Sequence, residues 1–475
     1  MENASVLFKR IMLGILLALL ALTLALVVRE GLHSHSYLLA LGAGLIWALA
    51  AFFLLRKKPL RLRMGKTRAA ALAVLLCFAV NLLWVLLIRI EPFSDYLQYW
   101  QVACALAGGT EIPTAWYIAM YPHILGTASF LSIFIRLFGA SVFAVTVVNV
   151  LLTCLSCLLI YALADLLTGG DTAFLAALLW ALCPCKLMLN SLVFSEPLYT
   201  CLILAFFYVL LRIDRRFAGG CSLGAALGLG AVLGLVLVLI NIVRPIALIL
   251  VIALVLWLLF LRGGFAAWKR WLCCLAALLL VYSAGGKLWD RHVEQTLDME
   301  PAAIPYYNVY VGFNEQTQGQ WSAEDMDLLF SYLSQEGVTT SEAQQRMIPH
   351  LRERMASGID YPRLFASKLM AFLGNDELGG YTYRFTREPL FVKLCMVVCN
   401  VFYYGVFLLA LRALWLSLRE RTLSAGLMLP LFFLGLTLAH MLVEVSNRYH
   451  YSLIAILIIF AAAGLTRPGP ERSKS

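Results

Sequence analysis

Charge is scarce in this sequence. Asp, Glu, Lys and Arg make up 13% of its 475 residues, against about 25% in soluble domains. That shortage excludes an ordinary water-soluble enzyme. No internal repeat or low-complexity tract is present, and the inverted-repeat signature of many transporters is missing. The first apolar run lacks a small-residue cleavage site after it, so it reads as a retained span rather than a signal peptide. Twelve cysteines occur, yet none falls in the long polar stretch near 286–388, which excludes a disulfide framework there. Most sit in apolar runs, where Cys behaves as a small hydrophobe. The CPC triplet at 183–185 has no partner ligands nearby and reads as part of a Pro-containing helix.

What is abundant is apolar. Hydrophobic residues are 62% of the chain, and apolar runs long enough to cross the ~30 Å hydrocarbon core recur from end to end. The expected fold is an all-α polytopic membrane protein with about 12 transmembrane helices (range about 11–13), interfacial helices and a small extracytoplasmic helical cap. The runs fall near 11–28, 37–55, 69–88, 140–163, 171–190, 197–211, 221–240, 245–261, 271–285, 389–411, 423–440 and 450–465. Basic residues cluster at 56–68, 212–216, 262–270, 411–422 and the tail TRPGPERSKS. The positive-inside rule then puts both termini on the cytoplasmic side of the membrane; the resemblance given below implies a bacterial plasma membrane. The net charge of +10 is therefore a topology signal, with some attraction to anionic membrane lipids, and no nucleic-acid partner is expected.

Four segments follow: 1–68, two N-terminal spans and a basic loop; 69–285, a membrane core whose first outer loop is 89–139; 286–388, an extracytoplasmic cap; and 389–475, C-terminal spans and tail. In the first outer loop, Ser94 can cap a helix with an apolar stripe from Tyr96 to Ala107, ended by Gly108 and Gly109. The stretch 121–139 reads as a second interfacial helix. In the cap, Ser322 and Asp325 form a box-like start for a helix to about 335, and 341–355 and 360–374 read as two more.

Ionisable residues at membrane depth point to function. Asp95, Glu196, Arg244, His440, Glu444 and Arg448 come from distant parts of the sequence and converge on one side of the bundle. Each has a plainer reading. Asp95 and Glu196 mark helix starts, Arg244 can anchor at headgroups, and Glu91 and Glu111 read as exposed. His440, Glu444 and Arg448 are four apart, which puts them on one helix face and lets Glu444 and Arg448 pair. His440 then reads as a hydrogen-bonded histidine rather than a metal ligand. Lys186 lies deeper and either snorkels or meets a lipid phosphate.

The motifs SDYLQYW (94–100), YPHILGTASFLSIFIRLFG (121–139), CPCKLMLNSLVFSEPLY (183–199), NIVRPIALI (241–249), NVYVGFNEQTQGQW (308–321) and VEVSNRYHYSL (443–453) occur in that order. On this topology the chain resembles the large integral-membrane glycosyltransferases of the C fold (GT-C), bacterial family 39 type. These are related to protein O-mannosyltransferases and to the aminoarabinose transferase of lipid A. The resemblance implies transfer of a sugar from a polyprenyl-phosphate donor to a lipid, glycan or protein acceptor on the outer face of the membrane. It places the acidic residue of the first outer loop on Asp95, as the base that takes the acceptor proton. Arg244 and Arg448 become candidates to hold the departing phosphate, with Glu196, Glu444 and Tyr96 as binding residues. Two departures stand out. Asp95 is followed by Tyr96 where many relatives have a second acid, so no cofactor is certain and a divalent metal stays open. Two spans also precede the usual first one. A lipid-linked glycan ligase or polymerase, and a polytopic transporter or flippase, are the competing classes. A transporter should gather its charges near the midplane, whereas these gather at one face.

Overall fold

A computed structural model describes residues 2–262, 267–302 and 304–466. Most of the basic tail TRPGPERSKS and the centre of the 262–270 cluster lie outside them. Twenty α-helices follow in order: α1 Glu2–Gly31, α2 His35–Lys57, α3 Lys66–Leu87, α4 Ser94–Gly108, α5 Ala115–Met120, α6 His123–Phe138, α7 Val142–Leu167, α8 Gly170–Ala181, α9 Pro184–Asn190, α10 Glu196–Ala218, α11 Leu223–Val243, α12 Ala247–Leu256, α13 Trp268–Leu297, α14 Tyr306–Gly312, α15 Ala323–Leu333, α16 Thr340–Ala356, α17 Tyr361–Leu373, α18 Pro389–Arg419, α19 Met428–Leu442 and α20 Tyr451–Leu465. Among the described residues there is no strand. This is an all-α polytopic membrane protein.

Every apolar run is helical, but the count changes. Among the described residues ten helices are long and apolar enough to cross a membrane, and the bent pair α8–α9 makes eleven, the lower end of the expected range. The expectation of about twelve gives way at 245–261. There α12 continues into a π-helical turn, Trp257–Leu261, and the whole stays a shorter apolar helix. At CPC the helix breaks instead of running through Pro184. Helix α8 ends, Pro184 starts α9 at a position that needs no amide donor, and the two meet at 49°. Helix α13 carries the chain without interruption from Trp268 to Leu297, well past the expected end at 285.

The spans pack on a large apolar core. Helix α20 is buried almost all round, as expected for a helix apolar on every face, and it contacts α18, α8 and α10. Helices α11 and α13 approach closely because glycine leaves room: a Cβ at Gly230 would sit 2.2 Å from the carbonyl oxygen of Cys274. Helices α4 and α6 pack on each other and enclose a second core containing Tyr99, Val102, Leu125 and Leu131. The cap, α14 to α17, has a small core of its own in Tyr307, Val311, Leu329 and Met347, joined by Met120 of α5. Its centre is an ion pair of the buried Asp325 with the half-buried Arg354, at 2.7 Å, with the Arg354 guanidinium 3.4 Å from the Tyr310 ring centre. The Ser322 cap is as expected, its hydroxyl accepting from the Asp325 amide. Helix α16 starts on a full capping box, Thr339 with Glu342, which the sequence reading missed.

Candidate active site

The ends of α3, α11 and α19 and the starts of α4, α10 and α20 meet at one end of the bundle, and the charged residues collect there. Helix α4 begins differently from the expectation. Phe93 occupies the cap position with no side-chain cap, and Ser94 is the first helical residue. Ser94 has a left-handed backbone, φ 47°, and so does Thr114, φ 54°. That conformation is unfavourable for residues with a Cβ, and it concentrates at functional sites. Both residues line a cavity of about 290 Å³ with Asp95, Leu97, Gln98, Trp116 and Tyr117. Thr114 donates to Gln98 Oε1 at 2.8 Å, which ties the cavity wall to α4.

Asp95 is partly open to this cavity. Its Oδ2 accepts from Arg448 Nη2 at 2.6 Å, a charge-assisted bond that fixes the carboxylate plane. The Arg448 guanidinium also lies 5.5 Å from the Tyr96 ring centre and 5.4 Å from that of Tyr449. Tyr96 is buried and is absent from the cavity wall; it backs Arg448. Arg244 also lies against Tyr449, 4.6 Å from the ring centre. Arg244 caps the C-terminus of α11, pairs with Glu196 Oε1 at 3.5 Å and sits over Tyr199 at 5.4 Å. Glu196 is buried at the start of α10, so its helix-start reading and its partnership with an arginine both hold. Two arginines thus flank one tyrosine ring, each with its own carboxylate.

The expected helix face of His440, Glu444 and Arg448 does not exist. Helix α19 stops at Leu442, and the chain is extended at Val443 before a short 3-10 turn, Asn447–His450. The extended stretch bonds to the cap instead: the Glu444 amide to Asn308 O at 2.7 Å and the Val445 amide to Gly319 O at 2.9 Å. Glu444 therefore accepts from the Tyr449 hydroxyl at 3.2 Å and from Asn308 Nδ2 at 3.4 Å rather than pairing with Arg448. Burial raises its carboxyl above the usual range. His440 stacks on Tyr449, and its Nδ1 lies 3.4 Å from Glu444 O, an interface histidine as read. Lys368 of α17 donates to Gly312 O at 2.7 Å and Val443 O at 2.8 Å, stapling the cap to this stretch. Burial lowers its amine to about 7.

The remaining candidates stand apart. Glu91 and Glu111 are exposed. Lys186 neither snorkels nor reaches a lipid. It is fully buried and donates to Asn81 Oδ1 at 3.2 Å and Ala181 O at 2.9 Å. Among the described residues no group of three or more His, Cys, Asp or Glu is placed to hold a metal ion. Asp95 is the single carboxylate on the cavity wall, and one of its oxygens is taken by Arg448. That donor set does not fit a divalent ion, and the chemistry below uses none. The sequence reading missed Gln98, Thr114, Tyr117, Tyr449 and Lys368. Tyr449 was in plain sight, one residue from Arg448 in SNRYHY.

An all-helical membrane bundle with a polar site at one end and a helical cap over it defines the class. Within it, residues 122–284 match the family model described as dolichyl-phosphate-mannose-protein mannosyltransferase, about a third of the chain. The chain is thus similar to the transferase family that its motifs resemble. No curated protein matches it. Two solved structures are similar at low identity. One is the archaeal oligosaccharyltransferase AglB from Archaeoglobus fulgidus, in complex with an inhibitory peptide and a dolichol-phosphate. Its identity is 15% over 82% of this chain, with a TM-score of 0.40, and this chain spans 50% of that one. The other is ArnT from Cupriavidus metallidurans bound to undecaprenyl phosphate, with 11% identity over 84% of this chain and 77% of that one, and a TM-score of 0.38.

Proposed function

We propose that the chain transfers a sugar from a polyprenyl-phosphate donor to an acceptor hydroxyl, at the outer face of the membrane. The observation that carries this reading is the pairing of Asp95 with Arg448 at a cavity mouth, with Arg244 behind Tyr449. In the proposed step the acceptor oxygen attacks the anomeric carbon as the bond from that carbon to the phosphate oxygen breaks. The acceptor proton passes to the free oxygen of Asp95. The bonding pair leaves with the polyprenyl phosphate, whose growing negative charge Arg448 and Arg244 stabilise. A single displacement inverts the anomeric centre. Arginine suits this task because its planar fork binds phosphate through two parallel bonds. Glu196 holds Arg244, and Glu444 holds Tyr449, against which both guanidiniums lie. Tyr96 supports Arg448 from behind. The acceptor class (lipid, glycan or protein) is left to experiment.

The test is turnover by purified protein in lipid discs given a panel of labelled polyprenyl-phosphate sugars, with the product's anomeric configuration read by NMR. Discharge of one donor with inversion supports the reading. Failure of folded protein to discharge any monophosphate donor, with discharge of a diphosphate-linked glycan, would replace it with a ligase or polymerase.

A further inference from the structure

A second polar cavity lies at the other end of the bundle. Its volume is about 590 Å³, and its wall comes from the C-terminal ends of α2, α7 and α20, the N-terminus of α8 and the lower part of α18. Chain direction separates it from Asp95: α3 runs from the basic loop after α2 up to the residues just before Asp95. The cavity therefore lies at the face with the basic loops, the cytoplasmic face by the positive-inside reading.

Its wall has three charges and an apolar floor. Arg56 is exposed, and Arg412 lies partly buried over the Phe52 ring at 4.5 Å, bonded to the Gly464 carbonyl. Among the described residues, neither arginine has a carboxylate within ion-pair distance. Two guanidiniums facing one cavity repel each other unless an anion lies between them. Asp171, in the first turn of α8, supplies the opposite charge. One of its oxygens accepts from the Leu62 amide at 3.0 Å, and the residue is exposed. Phe52, Leu55, Leu60 and Leu465 provide apolar surface beside these groups.

From this arrangement we infer that the cavity binds an inner-leaflet phospholipid whose headgroup carries both a phosphate and a primary amine, of the phosphatidylethanolamine kind. The phosphate bridges Arg56 and Arg412, the ammonium meets Asp171, and the acyl chains lie along the apolar wall. A headgroup with phosphate alone would leave Asp171 facing like charge. An amine alone would leave both arginines uncompensated. The inference is independent of the transfer reaction at the opposite end.

Native mass spectrometry of the full chain, titrated with phosphatidylethanolamine, phosphatidylglycerol and soluble phosphoethanolamine, tests it. The wild type should retain phosphatidylethanolamine most strongly. Arg56→Gln should weaken retention about tenfold, the scale of one charge-assisted hydrogen bond. Asp171→Asn, which keeps an acceptor for the Leu62 amide, should erase the preference over phosphatidylglycerol. Both substitutions fall on exposed side chains, so folding is preserved. Unchanged retention in Arg56→Gln, equal retention of phosphatidylglycerol by the wild type, or retention of phosphoethanolamine as strong as that of the lipid would each overturn the proposal.

Discussion

Asp95 has one oxygen committed and one free, and that division shapes what it can do. The bond to Arg448 restrains the carboxylate, and the residue lines the cavity. A carboxylate held this way can accept a proton in the transition state, an effect worth about 10²–10⁴ in rate. Asp95→Asn keeps the shape and a hydrogen bond to Arg448 but removes the base, so turnover should fall by about that factor with the melting temperature unchanged. Arg448→Lys retains the charge and loses the fork; its transfer rate should drop, whereas Glu91→Gln, on an exposed side chain, should match wild type. Asp95, Glu196, Arg244 and Arg448 were legible because charge is rare at membrane depth and each stands beside an apolar run. Tyr449, Gln98 and Thr114 were not, because a tyrosine or amide near an interface is ordinary until its neighbours are known. Tyr96 is expected to bind substrate, and the helix turns it inward against Arg448.

At the scale of elements, hydropathy gave the helices but could not see where they stop for geometric reasons. The fourfold spacing of His440, Glu444 and Arg448 suggested a helix face, and the chain leaves the helix at Leu442 to bond with the cap. The local pattern was correct as a pattern; a tertiary partner, the carbonyls of Asn308 and Gly319, overrode it. The sequence reads CPC as part of a Pro-containing helix, and the chain breaks there by 49°. The cap depends on a pair that no spacing rule reveals, Asp325 with Arg354. Asp325 is buried and accepts from Asn314 and Arg354, so Asp325→Ala leaves those donors unpaired and should destabilise the cap by about 1–3 kcal/mol. The readout is faster proteolysis within 322–356 at a temperature where the spans still resist. At the span interface, Gly230→Ala would press a methyl against the Cys274 carbonyl, 2.2 Å away. Helices α11 and α13 must then separate, which should lower the melting temperature.

For the molecule as a whole, the topology of spans, two substantial segments and a cap was expected from the alternation of apolar runs with basic loops. The bent pair and the short 245–261 helix were not, since length in sequence does not fix tilt or bend. Lys368 and Asp376, two of the buried groups outside the spans, each contribute a pH dependence to the fold. Burial lowers the Lys368 amine to about 7 and raises the Asp376 carboxyl to about 7. The Asp376 contribution is present below the usual carboxyl range and is lost as pH rises toward 7. The Lys368 contribution is lost as pH falls from the usual amine range toward 7. The joint contribution of these two groups is therefore least near pH 7. Thermal unfolding across pH should show Asp376→Asn flattening the decline from 4 to 7 and Lys368→Met flattening the rise above 7.

The most direct test of the central claim separates donor binding from transfer in Asp95→Asn. The donor found by the turnover panel would be bound to wild-type and variant protein in lipid discs, and its affinity and single-turnover discharge measured side by side. If Asp95 is the base, affinity stays within about twofold while discharge falls by two to four orders of magnitude. Full discharge by folded Asp95→Asn would contradict the account and leave Asp95 a structural partner of Arg448.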